Sequence, residues 1–348
     1  NTANLPIPMK SLSEFLPLLA SPKRISISHH NNPDADATGS ALALSHYLTL
    51  KGHHCVVISP NEVPDYLDWM PGRETVMVFE GNEAACTARL SDSEIHFSLD
   101  YNNFSRTKSM EKVLTEYTGT RVLIDHHMFP ADYFDYGLSL TSKSSTCEMI
   151  YDFIALAGDT HLINLAIAEC LYSGTMTDTG GFRFAGTTPN THRMVASFLE
   201  LGLEPARIHT ALFDNYSENR LRFMGWLFSE KMQVFPEMHT AIIAVSEEEL
   251  KRFNISTGDT EGIVNFPLSI KPVIFSTFIT QRQKEIRMSF RSQGDFNVNE
   301  FARTWFEGGG HRNASGGRGL ESIEATVARF MEGLKQNESQ LKLCFRNL

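Results

Sequence analysis

The sequence predicts an α/β fold: an N-terminal, mainly parallel sheet with helices on both faces, and a smaller C-terminal α/β domain on a mixed sheet. Three observations predict it. Short, near-continuous apolar runs alternate with helix-like stretches through the first half, as strands buried on both faces do. A second series of strand- and helix-like segments begins after Pro236. The 348 residues suffice for two domains of ordinary size.

Taken in order, residues 25–28 are the first strand. Residues 38–50 read as a helix: Ala41, Leu44, Ser45 and Leu48 recur at helical spacing, Leu42 and Tyr47 widen the apolar face, and Gly52 stops it. Residues 54–58, 76–79, 95–99 and 121–124 are the next strands. Residues 145–157 and 164–176 form helices, with Asp178 expected just past the second, in a loop with Gly180 and Gly181. Residues 189–201 are another helix, and 218–235 a long one ended by Pro236. In the second half, 240–245 is a strand, and 273–279 and 286–290 pair as a hairpin across 280–285. A helix over 298–306, a Gly-rich segment over 308–317 and a final helix over 323–334 complete the chain. The expected division is a first domain over residues 1–190, a helical linker over 191–236 and a second domain over 237–348.

The chain is 42% apolar and 21% charged, as in soluble globular proteins, and its net charge is −10. Duplex nucleic acid is bound largely by phosphate neutralisation, so duplex DNA is not an expected partner. A short anion held by bound cations is compatible with this balance, because the ions are themselves large local charges. Five scattered cysteines form no CxxC, which argues against a disulfide framework or a structural zinc site and for reduced thiols. No apolar run of about 18 residues spans a membrane. No basic-then-apolar leader is visible, so the expected location is cytoplasmic.

Acids and imidazoles gather at four places, three of them at the ends of apolar segments. These are His30 with Asp34 and Asp36 around Pro33, then Asp100, then Asp125-His126-His127, then Asp178. In a parallel sheet the carboxyl ends of strands share one edge, where ligands bind. Carboxylate oxygens mixed with imidazole nitrogens suit divalent ions. One arrangement gives His30 and Asp34 to one ion and Asp36, His126 and Asp178 to another, with Asp100 bridging. Two such ions clamp the attacking and leaving oxygens of a phosphoryl displacement. His127 then faces substrate as a phosphate ligand or general acid. In the Gly-rich segment, Gly308, Gly309 and Gly310 let backbone approach an anion, His311 and Arg312 add donors, and Arg291 is placed for a bidentate phosphate contact. There is no Walker loop and no Rossmann GxGxxG.

Together, His30-x-x-Pro33-Asp34-x-Asp36, Asp100, Asp125-His126-His127, Thr177-Asp178-Thr179-Gly180 and Gly308-Gly309-Gly310-His311 resemble the DHH superfamily of metal-dependent phosphoesterases with a C-terminal DHH-associated domain. The resemblance implies a metal-binding catalytic domain, a substrate-binding domain, an active site in the cleft between them, and a dinuclear centre of two Mn²⁺, with Mg²⁺ or another divalent ion as alternatives. It places His30, Asp34 and Asp100 on one ion and Asp36, Asp100, His126 and Asp178 on the other. His127 is then the substrate-facing histidine, Asp125 an acid that orients its neighbours, and Arg291, Gly308, Gly309, Gly310, His311 and Arg312 the substrate's holders. One departure is Glu307, where the family often has a fourth glycine.

Within the superfamily the chain looks most like bacterial enzymes that degrade very short RNA and dephosphorylate 3′-phosphoadenosine 5′-phosphate. Expected partners are therefore short RNA or a small nucleotide, with a homodimer left open. The alternatives are an exopolyphosphatase or pyrophosphatase of the same superfamily, a phosphodiesterase of linear dinucleotides, and a catalytically silent nucleotide sensor. A processive single-strand exonuclease is disfavoured by the lack of a basic tract.

Overall fold

The computed structural model describes residues 9–348 except 215, 257 and 284. The chain forms two compact units that divide between residues 215 and 216.

The first unit is built on a six-stranded parallel sheet of β1 (Arg24–Ser28), β2 (His54–Ser59), β3 (Met77–Val78), β4 (Ile95–Leu99), β5 (Thr120–Asp125) and β6 (Tyr136–Ser139), in the order β3-β2-β1-β4-β5-β6. The chain runs outward from β1 through β2 to β3, then returns to the other side of β1 with β4. The strand order therefore reverses between β1 and β4, which is where open α/β sheets bind ligands. Helices cover both faces. Alternate residues of β5 enter different cores: Val122 and Ile124 pack with the helices Ala35–Leu50, Thr146–Leu156 and Leu165–Asp178, whereas Leu123 packs with Cys86, Leu90 and Leu114.

Two glycines allow the helices behind the site to touch backbone to backbone. A Cβ on Gly39 would lie 2.5 Å from the carbonyl oxygen of Cys170, and one on Gly174 would lie 2.6 Å from Cα of Asp36. Helix Ala35–Leu50 thus lies directly on helix Leu165–Asp178, fixing Asp36 near Asp178.

The first helix starts before the expected residue 38 because Asp34 caps it, accepting from the N–H groups of Asp36 and Ala37. Asp178 is the last residue of its helix rather than a loop residue. β6 and the helix Pro205–Phe213 were not expected from the sequence.

The second unit carries a mixed sheet of β7 (Gln233–Phe235), β8 (Thr240–Val245), β9 (Phe275–Arg282), β10 (Glu285–Ser292), β11 (Gly309–Gly310) and β12 (Ala314–Arg318), ordered β11-β12-β10-β9-β8-β7. Only β8 and β9 run parallel. Phe275, Phe290, Phe301 and Phe330 centre its core, joining the sheet to the helices Val298–Phe306 and Ile323–Arg346.

Three expectations change here. The helix expected over 218–235 stops at Trp226, runs through a π-turn at Leu227–Lys231 and gives way to β7. The β9–β10 turn is tighter than 280–285, and Lys284 within it lies outside the described residues. The last helix continues to Arg346 rather than ending at 334. Residues 191–236 contribute to both cores: Met194, Phe198, Ile208 and Leu212 to the first unit, Phe223, Met224 and Leu227 to the second. Among the described residues no helix is long and apolar enough to cross a membrane.

Candidate metal centre

The strand ends at the switch point carry the acids and imidazoles. Just past β1, His30 places Nδ1 2.9 Å from the carbonyl oxygen of Asn31, so Nδ1 carries the proton and Nε2 is the ligand atom. That Nε2 lies 3.4 Å from Oδ2 of Asp100 and 3.9 Å from Oδ2 of Asp34. Just past β5, His126 turns Nδ1 toward the carbonyl oxygen of Lys143. Its Nε2 lies 3.3 Å from Oδ1 of Asp100, 3.4 Å from Oδ2 of Asp178 and 3.7 Å from Oδ2 of Asp36.

Asp100 therefore stands between two donor groups, one oxygen toward each imidazole. His30, Asp34 and Asp100 form one cluster and Asp36, His126 and Asp178 another, with candidate ligand atoms in each within 4.8 Å of one another. Asp100 follows β4 with φ +61°, a left-handed turn that re-aims its side chain. Beneath it, Tyr101 is wholly buried, its hydroxyl 2.8 Å from Ser28 Oγ and 2.7 Å from Ser98 Oγ.

Asp125, the last residue of β5, is wholly buried, and its Oδ1 accepts from Nδ1 of His127 at 2.7 Å. The bond fixes the imidazole's orientation and leaves Nε2 as the nitrogen for chemistry. His96, by contrast, is enclosed below the site between Ser26 and Ser28.

The electrostatics describe a site with more acid than its imidazoles balance. Burial, then the negative charge of Asp100, pushes Asp36 up to about 7. Burial and the charges of Asp36 and Asp34 push Asp178 well above the usual carboxylate range. Burial presses His30 down, but the hydrogen bond to Asp100 and the charges of Asp34 and Asp100 win and raise it to about 9. His126 is raised for the same reasons, by Asp100, Asp178 and Asp36 against burial. Asp100 is held well below the usual range: burial opposes this, but hydrogen bonds to His126 and His30 prevail. Buried carboxylates that crowd one another beside imidazole nitrogens are what divalent cations relieve, so the residues present fit the implied ions.

One contributor was not anticipated. Thr146, wholly buried at the start of helix Thr146–Leu156, gives its N–H to Oδ2 of Asp36 at 2.7 Å and its hydroxyl proton to Oδ1 of Asp100 at 2.9 Å. The N–H of Cys147 reaches Oδ1 of Asp36 at 2.8 Å. The helix N-terminus is thus aimed at the acids. Ser145 caps it, accepting from the N–H of Glu148. Ser145 with Glu148 three residues on was the available signal, since that spacing marks a helix start.

In the second unit, Arg291 lies on β10 opposite Ala314 of β12, with Nη1 3.0 Å from the carbonyl oxygen of Phe290. The Gly-rich segment is not an open backbone loop. Gly309 and Gly310 are β11 and pair with Gly316 and Ser315 of β12. Gly308 must lack a side chain, because a Cβ there would lie 2.0 Å from the carbonyl oxygen of Gly316. His311 gives its backbone N–H to Ala314 at 2.7 Å, and Arg312 pairs with Asp295 at 3.3 Å.

A parallel sheet with acids and imidazoles clustered at its switch point, taken with the family and relatives below, makes this a hydrolase acting on phosphoesters. The chain belongs to the DHH family: residues 24–175 match the N-terminal domain of that family and residues 239–337 match the DHHA1 domain. It is 27% identical over 334 residues to the bifunctional oligoribonuclease and PAP phosphatase NrnA of Thermus thermophilus, covering 94% of each chain. It is also 35% identical to an exopolyphosphatase-related protein of Bacteroides fragilis of solved structure, with a TM-score of 0.91 over 95% of this chain and 97% of that one. RecJ from Thermus thermophilus, solved with Mn²⁺, shares the fold at 14% identity and a TM-score of 0.56, over 97% of this chain and 56% of RecJ.

Proposed function

We propose that this protein is a Mn²⁺-dependent phosphoesterase that hydrolyses short oligoribonucleotides and 3′-phosphoadenosine 5′-phosphate. The observation that carries the reading is the position of Asp100, with one oxygen 3.4 Å from Nε2 of His30 and the other 3.3 Å from Nε2 of His126. A carboxylate so placed suits a bridge between two cations. His30, Asp34 and Asp100 would hold one ion, and Asp36, Asp100, His126 and Asp178 the other. Bound there, the cations would supply Lewis-acid charge against a phosphoryl group and lower the pKa of water.

The chain's own residues do the rest. Asp125 keeps His127 in one orientation, so that its Nε2 meets the substrate and passes a proton to the leaving oxygen. Arg291, Gly308, Gly309, Gly310, His311 and Arg312 are proposed to hold the substrate, the residues 237–348 forming a substrate domain and 1–190 the catalytic one. The named activities of the Thermus thermophilus relative support this choice of substrates.

The test is direct. Protein loaded with Mn²⁺ should release mononucleotides from ribonucleotides of two to five residues and phosphate from 3′-phosphoadenosine 5′-phosphate; release from none of them sinks the reading. The name of the Bacteroides fragilis relative favours one second reading, polyphosphate hydrolysis. Rates on polyphosphate that exceed those on dinucleotides would decide for it.

A further inference from the structure

We propose that Arg106 is a phosphate-binding residue of the metal centre, donating its guanidinium to the phosphoryl oxygens of the substrate. The inference rests on the phosphoester reading above. Arg106 lies in the helical turn Phe104–Met110 that follows Asp100 and β4. Its carbonyl oxygen accepts from the N–H of Asn31, the residue after His30, at 2.9 Å.

The turn is rigidly held. Phe104 is buried and stacks on Tyr133 with ring centres 4.3 Å apart, Thr107 and Met110 are wholly buried, and Asn103 caps the N–H of Ser105 at 2.9 Å. Ser109 bonds the carbonyl of Pro60 at 3.1 Å, and Asn61 clasps Asn32 through bonds of 2.7 and 2.9 Å. The loops after β1, β2 and β4 are therefore knitted together around Arg106 at the switch point, where ligands of such sheets bind.

Arg106 is half-buried, yet its guanidinium has no hydrogen bond or ion pair among the described residues. Its charge is felt at His30, where it adds to the lowering by burial that the bond to Asp100 overcomes. The chain's net charge is −10, and several cations of the first unit are taken up by its own groups. Lys143 pairs with Asp152 and Glu148, and Arg73 with Asp68; Arg121 is spent on the carbonyls of Thr115 and Tyr117. Asp34 and Asp100 turn to imidazoles instead. A half-buried guanidinium without such a partner is available to a phosphate, whose geometry it matches with two parallel N–H bonds.

Inorganic phosphate, titrated into Mn²⁺-loaded full-length protein by calorimetry, tests this without any nucleotide turnover. Arg106→Ala should weaken phosphate binding at least tenfold, with the Mn²⁺ stoichiometry counted by electron paramagnetic resonance unchanged, and Arg106→Lys should restore part of the loss. Phosphate binding within twofold of the unsubstituted protein would overturn the proposal. So would loss of Mn²⁺ from both variants, which would make the residue a brace for the loop. If Arg106→Ala loses phosphate while the unsubstituted protein hydrolyses no short nucleotide, the substrate assignment fails and this one stands.

Discussion

Thr146 joins the two acid clusters of the candidate metal centre, its N–H 2.7 Å from Asp36 and its hydroxyl 2.9 Å from Asp100. Bonded to both, Thr146 sets which way the two carboxylates face. Thr146→Val keeps the shape and the N–H but removes the hydroxyl. It should weaken Mn²⁺ binding about tenfold, the lower end of the cost of losing an outer partner of a metal ligand. Thr146→Ser should bind close to normally. A Mn²⁺ titration followed by electron paramagnetic resonance reads both, and a Val variant that titrates like the unsubstituted protein refutes the role.

Asp125 and His127 form a second pair, joined at 2.7 Å, whose work is separable from the holding of cations. Asp125→Asn removes the charge that orients and supports the imidazole while leaving the six expected ligands in place. The expected outcome is a fall in kcat of about 10–100-fold with little change in the Mn²⁺ concentration needed for half-maximal rate. A rise in that concentration with kcat preserved would mean that Asp125 serves the metal instead.

Protons and cations compete for the same atoms. The metal-free fold holds protons on His30 up to about pH 9 and on Asp36 up to about pH 7, both above their ordinary values. A folded state that binds protons more tightly than the unfolded chain loses stability as pH rises through those windows, from 3.8 to about 7 for Asp36 and from 6.5 to about 9 for His30. His29 and His96 are shifted down, by burial first, to about 4 and about 3, so their opposite contribution lies below this range. Between pH 7 and 9 the metal-free protein should therefore melt at progressively lower temperature. Added Mn²⁺ should raise the melting temperature more at the upper end, and its binding at pH 7 should release protons into a weak buffer. Equal stabilisation across that range contradicts the assignment.

The acids after His30, and Asp100 and Asp125, were legible because they follow apolar runs, and a parallel sheet brings such ends to one edge; Asp178, at the end of a helix, was legible only through its motif with Thr177, Thr179 and Gly180. Thr146 was not, since a Ser-Thr pair ahead of a helix reads as a cap and nothing in the sequence says which carboxylates the cap faces. The β11–β12 hairpin was hidden by composition. Glycine has low strand propensity, and only packing shows that Gly308 and Gly317 sit where a Cβ would strike neighbouring chain. The last helix outran its pattern because Asn337, Glu338 and Ser339 interrupt the apolar stripe before Leu341 and Cys344 rejoin the core. The expected helix over 218–235 failed for the opposite reason. Its apolar residues after Trp226 serve a turn and then a strand, as Val234 and Phe235 pair with Ala241 and Thr240.

Glu307, the departure from the family's glycine run, has a backbone explanation that makes a prediction. It ends helix Val298–Phe306 in the left-handed conformation, φ 46° and ψ 39°, where a side chain costs about 1–2 kcal/mol. Glu307→Gly relieves that cost but gives the unfolded chain more freedom to lose, an offset of about 0.4–1 kcal/mol. The net expectation is a gain of about 0.5–1 kcal/mol, or a rise of about 2–4 °C in the second unit's melting temperature. The adjacent Gly308→Ala should act the other way. Its Cβ would lie 2.0 Å from a carbonyl oxygen in the β12 strand, and forcing the hairpin apart should cost about 1–3 kcal/mol. Calorimetry of the two variants gives both signs at once. A Glu307→Gly variant that melts lower, or a Gly308→Ala variant that melts unchanged, would show that this turn is not held as described.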